Sequence, residues 1–153
     1  MLRRDTLHFA AKPVLRWPAA QIARGEAADT IEKLKKEVYS KDYLITQVME
    51  TKQFIDTNFA ENLDLNILAK KAYLSKFHFI RSFKNIYGVT PHQYLISVRI
   101  KEAKRLLSNN ITIAESCAAT GFESTTSFIG LFKKITGTTP DLYRRKKQLS
   151  RAH

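Results

Sequence analysis

The sequence predicts an all-α chain: two tandem helix-turn-helix lobes joined by a rigid linker helix. Three observations lead there. Apolar residues recur at helical spacing from Ala28 onward, and nothing reads as two strands with a hairpin turn. The segment Ser75–Tyr94 (SKFHFIRSFKNIYGVTPHQY) returns as Ser124–Tyr143 (STTSFIGLFKKITGTTPDLY) at an offset of 49, identical at ten of twenty positions. Ordinary residue usage supplies about one or two identities by chance. Each copy also follows a short helical stretch, Leu65–Ala72 and Ile113–Thr120. Short helix, tight turn and second helix make one helix-turn-helix unit, and this chain has two.

Taken in order, residues 1–40 read as an arm or linker with one short helix. Pro13, Pro18, Trp17 and Gly25 fall in its first 27 residues without sustained periodicity, and Ile31, Leu34 and Val38 mark the helix. The domain proper is expected over 41–148. Leu44, Val48, Ile55 and Phe59 mark a longer helix over roughly 41–59. Asp64 and Ser75 look like N-caps of the first pair of helices, and Gly88 stops the second of them. Thr90 then caps a helix with Pro91 at its first position. That helix, Thr90–Leu107, carries Tyr94, Leu95, Val98 and Leu106 on one side and Ile96, Ile100, Ala103 and Leu107 on another. A helix apolar on two faces is buried by two neighbours, which makes it a rigid spacer. Arg99 and Glu102 interrupt the first apolar side, and an ion pair at i, i+3 is the expected arrangement. Thr112 and Ser124 repeat the caps of the first lobe, and Gly137, Thr139 and Pro140 repeat its exit.

Charge points to the partner. Lys and Arg number 26 against 14 Asp and Glu, a net of +12. Residues 62–153 hold 16 basic and 5 acidic side chains, so nearly all of the excess lies in the repeat region. A polyanion is the natural ligand of such a surface. No apolar run approaches the ~18 residues of a membrane span. The basic start MLRRDTLHFAAKP lacks the apolar stretch of a signal peptide. A single cysteine, Cys117, excludes a disulfide scaffold and fits a reducing cytoplasm. The four histidines are scattered, with no zinc spacing, and no Gly-rich phosphate loop is present.

The two second helices present distinct faces. In the first, Phe79, Phe83 and Ile86 point to the core, Phe77, Arg81 and Lys84 point outward, and Ile80 flanks them. In the second, Phe128, Leu131, Phe132 and Ile135 point inward, Thr126, Gly130 and Lys133 outward, with Ile129 on the flank. Outward residues of a second helix are those a major groove meets. There an Arg donates twice to guanine, and Phe, Ile or a Thr methyl touches thymine.

These motifs carry a resemblance. Ser-x-x-x-Phe-x-Arg-x-Phe-Lys at 75–84, Gly88 with Thr90-Pro91, Arg99-Ile-x-x-Ala103 with Leu106-Leu107, Gly121-Phe122-x-Ser124, Phe132-Lys-Lys, Gly137 with Thr139-Pro140, and Tyr143-Arg144 follow one another. Over about residues 43–146 the chain resembles the DNA-binding domain of the AraC/XylS family of bacterial transcription regulators. The resemblance implies two recognition helices entering adjacent major-groove segments on one face of the duplex. Carried over by position, Phe77, Ile80 and Arg81 read bases in the first lobe, and Thr125, Thr126, Ile129 and Gly130 in the second. Phosphate contacts are expected from Lys76, Lys84, Lys133, Lys134 and Arg144, and from the N-termini of the two short helices.

Three departures from the family pattern stand out. Gly130 occupies a place where Arg is usual, Ser116-Cys117 replaces an apolar-Ala pair, and Tyr73 sits at a turn position that is often Gly. Forty residues ahead of the domain are too few for a ligand-binding domain, so the chain resembles the standalone members or a regulator fragment. The expected partner is double-stranded DNA, bound by a single chain, with RNA polymerase as a second candidate. No cofactor, metal, catalytic residue or membrane is expected. A DNA-repair methyltransferase, another bearer of such domains, needs a cysteine cluster ahead of the repeats, and residues 1–60 hold no cysteine. The alternative of the same fold, a protein-interaction module with weakened DNA binding in its second lobe, rests on Gly130.

Overall fold

A computed structural model of the chain describes residues 24–151, and side chains from residue 28. Most of the N-terminal arm expectation, with Pro13, Trp17 and Pro18, therefore lies outside the described residues. The elements are α1 (Arg24–Asn58), α2 (Leu65–Lys71), α3 (Lys76–Tyr87), α4 (Pro91–Ser108), α5 (Ile113–Ala119), α6 (Thr125–Thr136) and α7 (Pro140–Arg151). No strand occurs among the described residues. The chain divides into two units between Tyr39 and Ser40. Two separate helices were expected around that point, yet α1 covers it, because neither Gly nor Pro falls among Tyr39, Ser40, Lys41 and Asp42. In the first unit Ile31, Leu34 and Val38 are all exposed.

The second unit holds two cores. The first gathers Val48 and Ile55 of α1, Leu68 and Ala69 of α2, Phe79 and Phe83 of α3, and Leu95 of α4. The second gathers Ile96, Ile100, Ala103 and Leu107 of α4 with Cys117, Phe122, Phe128 and Phe132. The linker helix thus contributes to both, as its two apolar faces require. The repeat is also a repeat of packing. Phe79 and Phe83 meet edge-on at 5.7 Å, and so do Phe128 and Phe132. Tyr94 closes the first pair at 5.7 Å from Phe83, and Tyr143 of α7 closes the second at 5.6 Å from Phe132. All four phenylalanines are fully buried. Truncating such a ring to Ala typically costs about 3–5 kcal/mol, so each lobe depends on its pair.

Two inward assignments need correction. Ile86 and Ile135, equivalent in the repeat, are exposed at 38% and 50%. The inward row steps by four residues, from Phe79 through Phe83 to Tyr87, whose ring lies 4.8 Å from Phe83, and this leaves position 86 on the rim. In the second lobe Thr136 takes the place of Tyr87 and turns its hydroxyl back to the Phe132 carbonyl at 2.8 Å.

The expected Arg99–Glu102 ion pair is also overturned. Glu102 is held by Arg105 at 2.6 Å. Arg99 is buried, and donates from Nε to the Phe59 carbonyl at 2.7 Å and from Nη2 to the Glu61 carbonyl at 2.8 Å. The end of α1 leaves carbonyls without helical partners, and the guanidinium fork satisfies two oxygens in that exit. The guanidinium carbon also lies over the Phe122 ring, 5.6 Å from its centroid. A second pin joins α1 to α4. Tyr94 donates its hydroxyl to Asp56 at 2.6 Å, and Lys52 holds the other carboxylate oxygen at 2.7 Å.

The two helix-turn-helix turns share one backbone form with different residues. Tyr73 donates to the Lys70 carbonyl and Leu74 to that of Ala69; Gly121 and Phe122 do the same to Ala118 and Cys117. The pivot residue is left-handed in both, at φ 55° for Tyr73 and 76° for Gly121. Gly121 has a second constraint, since a Cβ there would lie 2.4 Å from the Ala60 carbonyl oxygen. Gly121→Ala is therefore expected to destabilise the domain by at least about 2 kcal/mol, combining left-handed strain with the clash. Tyr73 is 78% exposed, and Tyr73→Gly should stabilise by roughly 0.5–1 kcal/mol, the strain relieved less the added chain entropy. Urea midpoints of both variants check this: opposite shifts are expected.

Candidate nucleic-acid interface

Each recognition helix is positioned by the same local devices. Ser75 caps α3 and accepts from the His78 amide, and Ser124 caps α6 and accepts from the Ser127 amide. Gly88 and Gly137 end them in the left-handed conformation. With the phenylalanine pair fixed inward, the opposite face is fixed outward. Phe77, at 76% exposure, stands clear of the core on the same exposed side as Lys76, Arg81 and Lys84. Ile80 is half-buried and edges an apolar cleft with Leu68, Pro91 and Leu95. On α6, Thr125, Thr126, Ile129, Gly130, Lys133 and Lys134 are all exposed. A Cβ on Gly130 would meet nothing within 4 Å, so the fold itself does not require glycine there.

No cation of these two helices is in an ion pair, although Lys76 at the start of α3 is near enough to Asp64 to help hold its carboxyl low. Among the described residues the ion pairs are Lys52–Asp56, Glu102–Arg105 and Asp141 with both Arg144 and Arg145, none of them on α3 or α6. Arg144 departs from its neighbours: it is partly buried and tied to Asp141 at 3.3 Å, which leaves it less available to a phosphate than Lys133 or Lys134.

The short helices carry carboxylates of their own at their N-termini. Asp64 seats its own carboxylate on the Ile67 amide at 2.7 Å at the start of α2. Glu115 reaches back to the Thr112 amide at 3.1 Å and hydroxyl at 2.6 Å, closing a capping box on α5. A carboxylate already sits where a phosphate was expected, and like charge disfavours a second anion. The recognition helices are capped by neutral serines, with Lys76 as the first residue of α3. Tyr73, singled out in the sequence only as a departure from the family pattern, is exposed in the turn four residues before Phe77. Its signal was an aromatic at a turn position where glycine is usual.

Comparison with known proteins decides the family. A helix-turn-helix domain model matches residues 68–146. The bifunctional transcriptional activator/DNA repair enzyme AdaA of Bacillus subtilis is 36% identical over 102 residues, 66% of this chain and 48% of AdaA. The chain belongs to the AraC-type helix-turn-helix family. The Transposon Tn10 TetD protein of Escherichia coli is 33% identical over 115 residues, 74% of this chain and 83% of TetD. The solved DNA-binding domain of AdpA, a global transcriptional factor in complex with a target DNA, superposes with TM-score 0.67 at 30% identity, covering 69% of this chain and 96% of that one. The chain spans about half or less of several curated relatives it matches, 48%, 26% and 28% of their lengths. It carries the DNA-binding domain of AraC-type transcription regulators, in two-lobed form. No helix among the described residues is long and apolar enough to cross a membrane.

The capping carboxylates give this AraC-type domain a defined acid limit. The Ile67 amide holds the Asp64 carboxyl below its usual range, the Thr112 hydroxyl does so for Glu115, and Arg105 does so for Glu102. A carboxyl lowered by folding stabilises the fold above its ordinary pKa and loses that contribution as pH falls through the lowered value. The thermal midpoint is expected to be flat from about pH 7 to 5 and to fall below about pH 4. Asp64→Asn, which keeps a capping oxygen, should shrink that fall; an unchanged acid profile would contradict the capping role.

Proposed function

We propose that this chain is a sequence-specific double-stranded DNA-binding regulator of transcription, acting in the cytoplasm through its two recognition helices. One chain places α3 and α6 in adjacent major-groove segments, so its site is asymmetric. The observation that carries this is the pair of equivalent helices whose outward faces are exposed and unpaired while α4 is buried in both lobes. Lys76, Lys84, Lys133 and Lys134 neutralise phosphates, and Phe77, Arg81, Thr125, Thr126 and Ile129 meet base edges. Ile80, half-buried, contributes its exposed edge only. The chemistry is binding rather than catalysis: the one cysteine, Cys117, is buried in the second lobe.

The lobes are unequal readers. Positions 81 and 130 are equivalent, and one is Arg where the other is Gly. Arg81 supplies a bidentate contact worth about 1–3 kcal/mol of discrimination. Gly130 supplies none, which also favours a second reading in which the second lobe touches protein. Sites enriched from random duplex DNA, followed by base-by-base affinity profiles, test both. Arg81→Ala is expected to flatten one or two base pairs and to weaken specific binding more than any single change at Thr125, Thr126 or Ile129. Gly130→Ala should stabilise the fold by up to about 1 kcal/mol and leave the preferred sequence nearly unchanged. A profile that survives Arg81→Ala but collapses on changes at Thr125 or Thr126 reverses the assignment of the two lobes. Absence of any sequence preference favours the protein-interaction reading.

Salt provides an independent check. With a net charge of +11 over residues 62–153, several phosphates are neutralised, and affinity should fall by orders of magnitude between ~50 and 200 mM salt. A flat plot of log K against log salt contradicts phosphate binding.

A further inference from the structure

Arg99 stands where three parts of the domain meet. Its guanidinium is on α4, its hydrogen bonds go to the Phe59 and Glu61 carbonyls in the loop that leads into the first lobe, and its charge lies over the ring of Phe122 in the turn of the second. In the same place Ala60 packs its carbonyl against Gly121 so closely that no Cβ fits. The α1–α2 loop therefore touches the second helix-turn-helix turn directly, and one buried cation bonds to the first surface and lies over an aromatic ring of the second.

The repeat supplies an internal comparison. Gln148 holds the place in α7 that Arg99 holds in α4, and it too reaches the preceding loop, at the Asn110 side chain. There the contact is neutral and exposed. The buried guanidinium is found only where a second lobe lies across the loop. Burying a charge is costly unless its donors and faces are used, and here two carbonyls and an aromatic ring use them. Burial lowers the Arg99 pKa, and Glu123 across the turn opposes that shift.

We propose that Arg99 is the positioning residue that sets the separation and phase of α3 and α6, and hence the spacing between half-sites that the protein accepts. This rests on the two-lobed DNA reading above. One base pair turns the duplex by about 34°, so a rigid pair of readers tolerates little change in spacing. Lysine at position 99 keeps the charge but lacks the fork that spans two carbonyls and the planar group that lies over Phe122.

The test uses the full chain and the duplex site that it enriches from random DNA, with one base pair inserted or deleted between the halves. The wild type is expected to lose about tenfold or more in affinity for either change, comparable with one mismatched base pair. Arg99→Lys should bind an isolated first half-site as the wild type does while losing most of this spacing penalty. Should that variant fail to fold, Phe122→Leu, which removes the ring near the guanidinium and keeps an aliphatic side chain against Phe128 in the second core, takes its place in the same assay. A second readout needs no DNA: nitroxide labels at Asn85 and Ala119, in a Cys117→Ala background, report the distance between lobes. A narrow distribution that broadens in Arg99→Lys supports the proposal. A folded Arg99→Lys with an unchanged spacing profile and an unchanged distance distribution overturns it. If the wild type enriches no two-part site, the DNA reading fails and the spacing role with it, whereas the label distances still report whether Arg99 holds the lobes together.

Discussion

Leu95 and Ile96 are neighbours in the chain, yet each is buried in a different hydrophobic core. That division of one helix between two lobes is the constraint on which the rest of the domain depends. On the first core's side, Tyr94 closes the phenylalanine pair of α3 and takes a hydrogen bond to α1 through Asp56. On the second, Ile100, Ala103 and Leu107 carry the α6 pair, and α7 lies beside them with Lys104 over the Tyr143 ring. An interior packed at crystal-like density does not bend smoothly, so a helix gripped from two sides transmits position from one lobe to the other. Arg99 adds a polar joint where the α1–α2 loop meets the second helix-turn-helix turn.

This architecture turns a net charge into a directed surface. A basic chain binds polyanions without preference, and phosphate contacts alone carry no sequence information. Here the inward phenylalanines orient two helices so that their cations and their base-reading candidates lie outward together. The carboxylates of Asp64 and Glu115 stay on the short helices, where they stabilise helix starts. The second lobe presents threonines and a glycine where the first presents phenylalanine and arginine. Nothing in the fold calls for glycine at position 130, where a Cβ would meet nothing within 4 Å.

Much of this was legible in the sequence, because the determinants were local or repeated. Serine and threonine caps, glycine stops and proline at first helical positions are short-range signals, and the offset of 49 doubled each of them. The outward face of α3 followed from the inward one by helical period alone. What escaped was long-range. Arg99 and Glu102 are three residues apart, and an ion pair was the nearest local solution; the actual partners of Arg99 lie 40 and 38 residues away. Ile86 and Ile135 matched a helical row, yet the row that the lobe uses ends on Tyr87 and Thr136. The carboxylates at the starts of α2 and α5 were visible in the sequence, but that they turn back onto their own helix starts, beside the expected phosphate contacts, was not weighed. Tyr73 stood out in the sequence as a non-glycine at a turn position that is often Gly, and the backbone gives the reason: it is left-handed there, at φ 55°.

That one chain offers two readers on one face of DNA is tested most directly by hydroxyl-radical footprinting with a parallel titration of stoichiometry. One chain per site, with two protected stretches about one helical turn apart (~34 Å) on the same face and no two-fold symmetry in the bound sequence, is the predicted result. A two-fold symmetric footprint occupied by two chains, each contributing a single recognition helix, would contradict it.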